Sequence, residues 1–158
     1  LIIFIEYEKY KKDKIINTAP TNFFSYVPQD IFLLDDSIFK NIAFGLDEKD
    51  IDFKRINEII DKVGLRKFIN NLEDGIYTVV GDSSNLISGG QAQRISLARA
   101  LYHKSEVIIL DEFTNQLDVN TEKKIIDIIE KLKKERTIIM VSHKTNPLSI
   151  CDEVFKIN

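Results

Sequence analysis

Leu86-Ile87-Ser88-Gly89-Gly90-Gln91-Ala92-Gln93-Arg94 is followed, after a short helical stretch, by Val107-Ile108-Ile109-Leu110-Asp111-Glu112. Ser88 and Gln91 have capping-box spacing, so a helix opens there. Two glycines let backbone come close to a ligand, and the first turn of a helix offers unpaired N–H groups at a positive dipole end. Such a turn suits phosphate; taken alone it fits a capped helix after a flexible turn better, and Gln93, Arg94 and the acid-ended strand that follows reverse that. The second stretch is a continuous apolar run, typical of a parallel strand covered on both faces. Two acids close it. Asp111 is placed to hold a hydrated Mg²⁺ through its water shell. Glu112, pointing the other way, is placed to polarise an attacking water. The bland alternative is a strand ending in two solvated acids; Asp118 and His143, at the next element boundaries, count against it.

The flanking sequence frames this pair. Ile95, Ala98 and Leu101 give the helix after Ser88 an apolar stripe. Asn120 to Lys134 reads as a helix with Ile125, Ile129 and Leu132 on its inner side. Phe23 to Val27 and Thr137 to Val141 read as buried strands, with Val154 to Ile157 as a third and Leu1 to Tyr7 as another. Strand, helix, strand implies a parallel sheet with right-handed crossovers. Ligands gather at the carboxyl ends of such strands, where Asp111, Glu112, Ser142 and His143 all fall. A neutral His143 can hydrogen-bond a γ-phosphate or the water-polarising acid. Gln29, after Tyr26-Val27-Pro28, can contact Mg²⁺ or the water, though alone it is only a loop glutamine. His103 reads as a surface residue. Residues 31 to about 86 look helical and less sheet-like. Ile38, Phe39 and Ile42 mark one short turn, Ile56, Ile59, Ile60 and Val63 a longer helix ended by Gly64, and Leu65 to Leu72 another. Gly75 begins a turn into Tyr77-Thr78-Val79-Val80-Gly81.

Composition sets bounds. The 158 residues suit one domain with a substantial core. Hydrophobic residues make up 44% and charged residues 30%, with a net charge of -3, so nothing pulls the whole chain toward nucleic acid. Lys9 to Lys14 and Lys131 to Arg136 read as solvated faces. Cys151 is the single cysteine, which excludes an internal disulfide framework. The apolar opening Leu1 to Ile5 is too short to span a bilayer and lacks the layout of a signal peptide.

From Tyr26 to the C-terminus, these motifs resemble the later two-thirds of the nucleotide-binding domain of an ATP-binding cassette (ABC) transporter. Gln29 matches its Q-loop, Ile87 to Gln91 its signature motif, Val107 to Glu112 its Walker B strand and catalytic acid, Asn115 to Asp118 its D-loop, and His143 its switch histidine. Gln29-Asp30-Ile31-Phe32-Leu33-Leu34 through Ser37-Ile38, Asn41-Ile42 and Gly45 resembles the exporter type, as does Thr78 to Asp82. In the family these segments face the coupling helices of a membrane domain. The flavour is that of bacterial exporters and flippases of lipids or lipid-linked sugars. Ile87 for Leu, Phe113, Asn115 and Gln116 for small residues, and Ser83-Ser84 for Arg-Gly depart from the pattern without removing a catalytic group.

The resemblance implies an α/β fold: a parallel-sheet, P-loop NTPase-like (RecA-like) ABC ATPase core. An α-helical subdomain is inserted, formed by residues 31–86 with the helix after the signature, while 1–30 and 105–158 belong to the core. It implies ATP and Mg²⁺ as ligands. Asp111 and Gln29 serve the metal. Glu112, His143 and Gln29 serve hydrolysis, and Asp118 the D-loop. Ser88, Gly89, Gly90 and Gln91 bind the γ-phosphate in trans. A second nucleotide-binding domain in a head-to-tail dimer and a transmembrane domain follow as partners, nucleic acid does not, and the location is the cytoplasmic face of a membrane. One part of the pattern is missing. Gly-x-x-x-x-Gly-Lys-Ser/Thr occurs nowhere, and the first glycine is Gly45. The expectation is a domain truncated before the Q-loop, inactive alone, with a partly unpaired sheet edge. Two alternatives stay open: a degenerate module that supplies only a signature half-site, and a soluble ABC ATPase.

Overall fold

A computed structural model describes residues 23–81, 86–115, 117–142 and 144–155. The expected strand over Leu1 to Tyr7 lies outside these residues, as do Asp82 to Asn85, Gln116 and His143.

Three parallel strands form the main sheet: β1 (Phe24–Val27), β4 (Val107–Asp111) and β5 (Thr137–Val141), in the order β1-β4-β5. The fully apolar run of β4 suits its central place, because both faces and both edges are covered. Phe24 pairs with Val107 and Val27 with Leu110 on one side; Val107 pairs with Thr137 and Asp111 with Val141 on the other. All three strands therefore end at one edge. On β1, Phe24 and Tyr26 are 51% and 57% exposed, as befits a strand whose one neighbour among the described residues is β4.

Two long helices flank β4 in the chain. α4 (Gly89–Tyr102) runs into it, and α5 (Val119–Leu132) connects it to β5. Ile95, Ala98 and Leu101 of α4 and Ile125, Ile129 and Leu132 of α5 are buried, which is the stripe expected from their spacing. Residues 31–81 form short helices: α1 (Ile38–Ile42), α2 (Phe53–Lys62) and α3 (Arg66–Ile69). Gly64, at φ +67, ends α2 in the left-handed conformation that a residue with a Cβ avoids. One apolar cluster joins Ile38, Ile42, Ile56 and Ile60 of these helices to Leu97 of α4 and Ile108 and Leu110 of β4.

Three expectations need correction. The 31–86 segment is not purely helical. β2 (Asp36–Ser37) pairs antiparallel with β3 (Val79–Val80), and the Ile38 N–H donates to the Thr78 carbonyl at 3.1 Å. These pairs are two residues long, too short for a period-two pattern to register. Val154 and Phe155 form no strand. They stand 55% and 50% exposed, and among the described residues no strand pairs with them, so their β propensity has nothing there to build on. His103 is half-buried, its ring edge-on to Tyr102, and burial pushes its pKa down.

Asn41 organises the loop that leads away from β1. Fully buried, its Nδ2 donates to the carbonyls of Leu34, Asp36 and Ser37 at 3.1–3.2 Å, and its Oδ1 accepts from the Leu34 N–H at 2.9 Å. Arg99 of α4 completes the hub, donating to the Asn41 carbonyl at 2.9 Å and to Oδ1 at 3.1 Å. Asn41→Leu keeps the volume but strands these groups. We expect a loss of about 3 kcal/mol, since each unsatisfied buried group costs roughly 1–3 kcal/mol. Urea unfolding checks it; a loss below about 1 kcal/mol would mean the hub is filler rather than framework.

Candidate active site

The shared strand edge carries the acids. Asp111 closes β4 and is half-buried; its Oδ2 accepts the Tyr26 hydroxyl at 2.6 Å. Tyr26 pairs in register with Ile109, two residues before Asp111 and on the same face. The bond to Asp111 raises the Tyr26 pKa. Glu112 follows at φ +43, a backbone conformation that costs a non-glycine residue roughly 1 kcal/mol or more. It is held there on both sides. Its N–H donates to the Val141 carbonyl at 2.9 Å, its carbonyl accepts the Asn115 N–H at 3.0 Å, and its carboxylate accepts the Asn115 side-chain amide. Asp111 thus leans toward β1 while Glu112 sits in a turn of its own, so the two acids have separate surroundings.

Gln29 follows β1 at the same edge and is exposed. Asp118 caps α5: one carboxylate oxygen accepts the N–H groups of Asn120 at 3.0 Å and Thr121 at 3.1 Å. The Thr121 side chain and these amides hold its pKa below the usual carboxylate value. Beyond Asp118, Glu122 is buried at 6% exposure. Its two oxygens accept Lys144 Nζ at 2.7 Å and Asn146 Nδ2 at 2.8 Å, and Lys144 Nζ also reaches the Thr114 carbonyl at 2.9 Å. The bond from Lys144 outweighs burial and lowers the Glu122 pKa.

The Ser88 turn opens α4 with both halves of the capping box made. The Gln91 N–H donates to Ser88 Oγ at 3.3 Å, and Gln91 Oε1 accepts the Ser88 N–H at 2.7 Å. The two glycines differ. A Cβ on Gly89 would meet nothing within 4 Å, whereas one on Gly90 would lie 2.4 Å from Thr121 Cγ2. Gly89 is therefore the open approach, and Gly90 is where α4 meets the first turn of α5. Arg94 ties this helix start to the end of α2, donating to the carbonyls of Gly90 at 3.0 Å and Gly64 at 2.9 Å.

Sequence reading missed Tyr26, Arg94, the Glu122–Lys144 pair and the packing role of Gly90. Each depends on a contact between residues 22 or more positions apart; Glu122 is further disguised by its first-turn place on α5, where it looks like an ordinary dipole-favoured acid.

A sequence model of the ABC transporter family matches residues 3–115. The chain belongs to the ABC transporter family. Its strand order and flanking helices are those of a P-loop NTPase-type ABC core. An ABC relative, a Rickettsia typhi protein named by inference as an export ATP-binding/permease protein, is 40% identical over 145 residues, covering 92% of this chain and 25% of that protein. The ATP-dependent lipid A-core flippase of Ralstonia nicotianae is 34% identical over 131 residues, 82% of this chain and 22% of that protein. A solved bacterial Atm1-family ABC exporter with ATP bound superposes with a TM-score of 0.71 at 30% identity, over 81% of this chain and 22% of that one. The chain thus spans about a quarter of the length of the curated relatives it matches. Among its described residues, no helix is long and apolar enough to cross a membrane.

The two glycines of the signature turn should separate experimentally. Gly90→Ala forces Thr121 aside and should cost about 1–3 kcal/mol. Gly89→Ala should leave stability within about 1 kcal/mol or raise it slightly, as alanine does in a helix. Thermal unfolding of both variants checks this; equal losses would refute the division of roles.

Proposed function

We propose that the chain belongs to the ATP-hydrolysing domain of an ABC exporter or flippase, acting at the cytoplasmic face of a membrane. One observation carries the reading: Asp111 ends the central strand and Glu112 follows in a held left-handed turn, beside the end of β5. In this reading Asp111, with Gln29, faces the metal side. Glu112 polarises the attacking water, and His143 hydrogen-bonds the γ-phosphate or Glu112. Ser88, Gly89, Gly90 and Gln91 take the γ-phosphate held by a second nucleotide-binding domain in a head-to-tail dimer, with Asp118 at the start of α5 between the two sites. Residues 31–86 with α4 form the helical subdomain and meet the coupling helices of a transmembrane domain; 1–30 and 105–158 belong to the core. The relatives named above, exporters and flippases by name, support this assignment.

The residues present fit both ligands. Gly89 leaves open space before a 14-residue helix start, as an approaching phosphate needs. Among the described residues no three acids, histidines or cysteines cluster as a metal cage. A single strand-end Asp suits Mg²⁺, which is held by one or two carboxylates together with waters and phosphate oxygens. When bound, Mg²⁺ neutralises charge on the β- and γ-phosphate oxygens. Asp111 contributes a fixed carboxylate, held by Tyr26, and Glu112 keeps its carboxylate oriented through Asn115.

A second reading, a module that supplies only the signature half of a composite site, rests on the absence of Gly-x-x-x-x-Gly-Lys-Ser/Thr from this sequence. That loop is a nest of N–H donors with a lysine charge. The 158-residue chain by itself should therefore bind Mg-ATP weakly. Calorimetry should give a dissociation constant well above about 1 μM, and a submicromolar value would overturn that expectation. In the full-length protein, Glu112→Gln should lower ATP hydrolysis by about 10²–10⁴-fold while nucleotide still binds, because an amide keeps the shape but cannot take a proton. Hydrolysis at near the wild-type rate would remove Glu112 from the role proposed and favour the half-site module.

A further inference from the structure

The Glu112 turn has a support that its own motif does not contain. Thr114, two residues on, is buried at 3% exposure, and its carbonyl accepts the Leu117 N–H at 3.3 Å. Lys144 Nζ donates to the same oxygen at 2.9 Å. Glu122, in the first turn of α5, pairs with the same ammonium at 2.7 Å. The second Glu122 oxygen is used as well, accepting Asn146 Nδ2 at 2.8 Å. Lys144 is itself fixed at its backbone, where its N–H donates to Ser142 Oγ at 3.0 Å. The chain after β5, the start of α5 and the turn after β4 are thus joined through one buried carboxylate.

We propose that Glu122 and Lys144 are positioning residues for hydrolysis: their ion pair sets the turn that presents Glu112. The inference rests on the role proposed for Glu112. Neither side chain is given contact with substrate. Their effect runs through the Thr114 carbonyl to a turn already held at φ +43, where a small displacement re-aims the carboxylate. Only Glu122 is the buried partner, with 8% of its side chain exposed against 35% for Lys144. Removing Lys144 leaves a buried carboxylate unpaired, and removing Glu122 frees the ammonium to leave the Thr114 carbonyl for water; either change takes a support from the turn.

The test compares Glu122→Gln, Lys144→Met and the double variant with Glu112→Gln in the full-length protein. Glu122→Gln preserves volume and can still accept from Asn146. Each single variant should lower kcat about 10–100-fold, the usual cost of losing a supporting partner, with ATP affinity changed less than about twofold. The double variant should be no worse than the poorer single one, because both remove the same interaction. Unchanged kcat, lost nucleotide affinity, or multiplying effects in the double variant would each overturn the proposal. If a variant folds poorly, hydrogen exchange at the Asn115 amide in Glu122→Gln decides instead: faster exchange supports the proposal, and wild-type protection overturns it. Should Glu112→Gln keep hydrolysing, the underlying role for Glu112 has failed; should it alone lose activity, only the positioning role has.

Discussion

The parallel pairing of β4 between β1 and β5 is the constraint on which the rest of the structure depends. Because the registers align Val27 with Leu110 and Asp111 with Val141, three chain exits fall at one edge. Asp111 and Glu112 are delivered there by backbone geometry before any side chain chooses a rotamer. A slip of one residue in β4 would turn Asp111 to the opposite face and bury it where Ile108 and Leu110 now pack. Ile108 and Leu110, fully buried in the apolar cluster, hold the strand against that slip.

Around this edge the structure uses short polar links between elements. Asn41 and Arg99 join the post-β1 loop to α4. Arg94 joins α4 to the end of α2, and Gly90 seats α4 against Thr121 of α5. Glu122 then joins α5 to the segments after β4 and β5. A displacement at the start of α4 thus has a packed route to the turn at Glu112, through the first turn of α5 in which Thr121 and Glu122 are adjacent.

What the sequence made legible was what period and spacing encode. Val107–Asp111 and Thr137–Val141 are apolar runs of strand length, and Ile125, Ile129 and Leu132 repeat at helical spacing, so strand identity and buried faces could be read directly. The Ser88–Gln91 capping box is likewise local and was legible as such. The β2–β3 pair was not, because two-residue strands carry no pattern and form only once Thr78 is brought to Ile38. Val154 and Phe155 show the converse: the residue types of a strand, with no strand partner among the described residues. At the candidate site the acids were visible, but their supports were not. Tyr26 and Asp111 are 85 positions apart and Lys144 and Thr114 are 30 apart, and no local rule connects them.

The left-handed backbone at Glu112 has a consequence for how this chain would drift. Asparagine and glycine are at home at φ +43, and glutamate is not. Selection for thermal robustness alone would therefore pull position 112 toward those residues, and stability-guided consensus engineering would pull the same way. A glutamate retained against that pull trades folding free energy for a carboxylate in a fixed place. The position is thus one where an optimiser blind to chemistry would improve the fold and erase the feature on which the proposed activity rests.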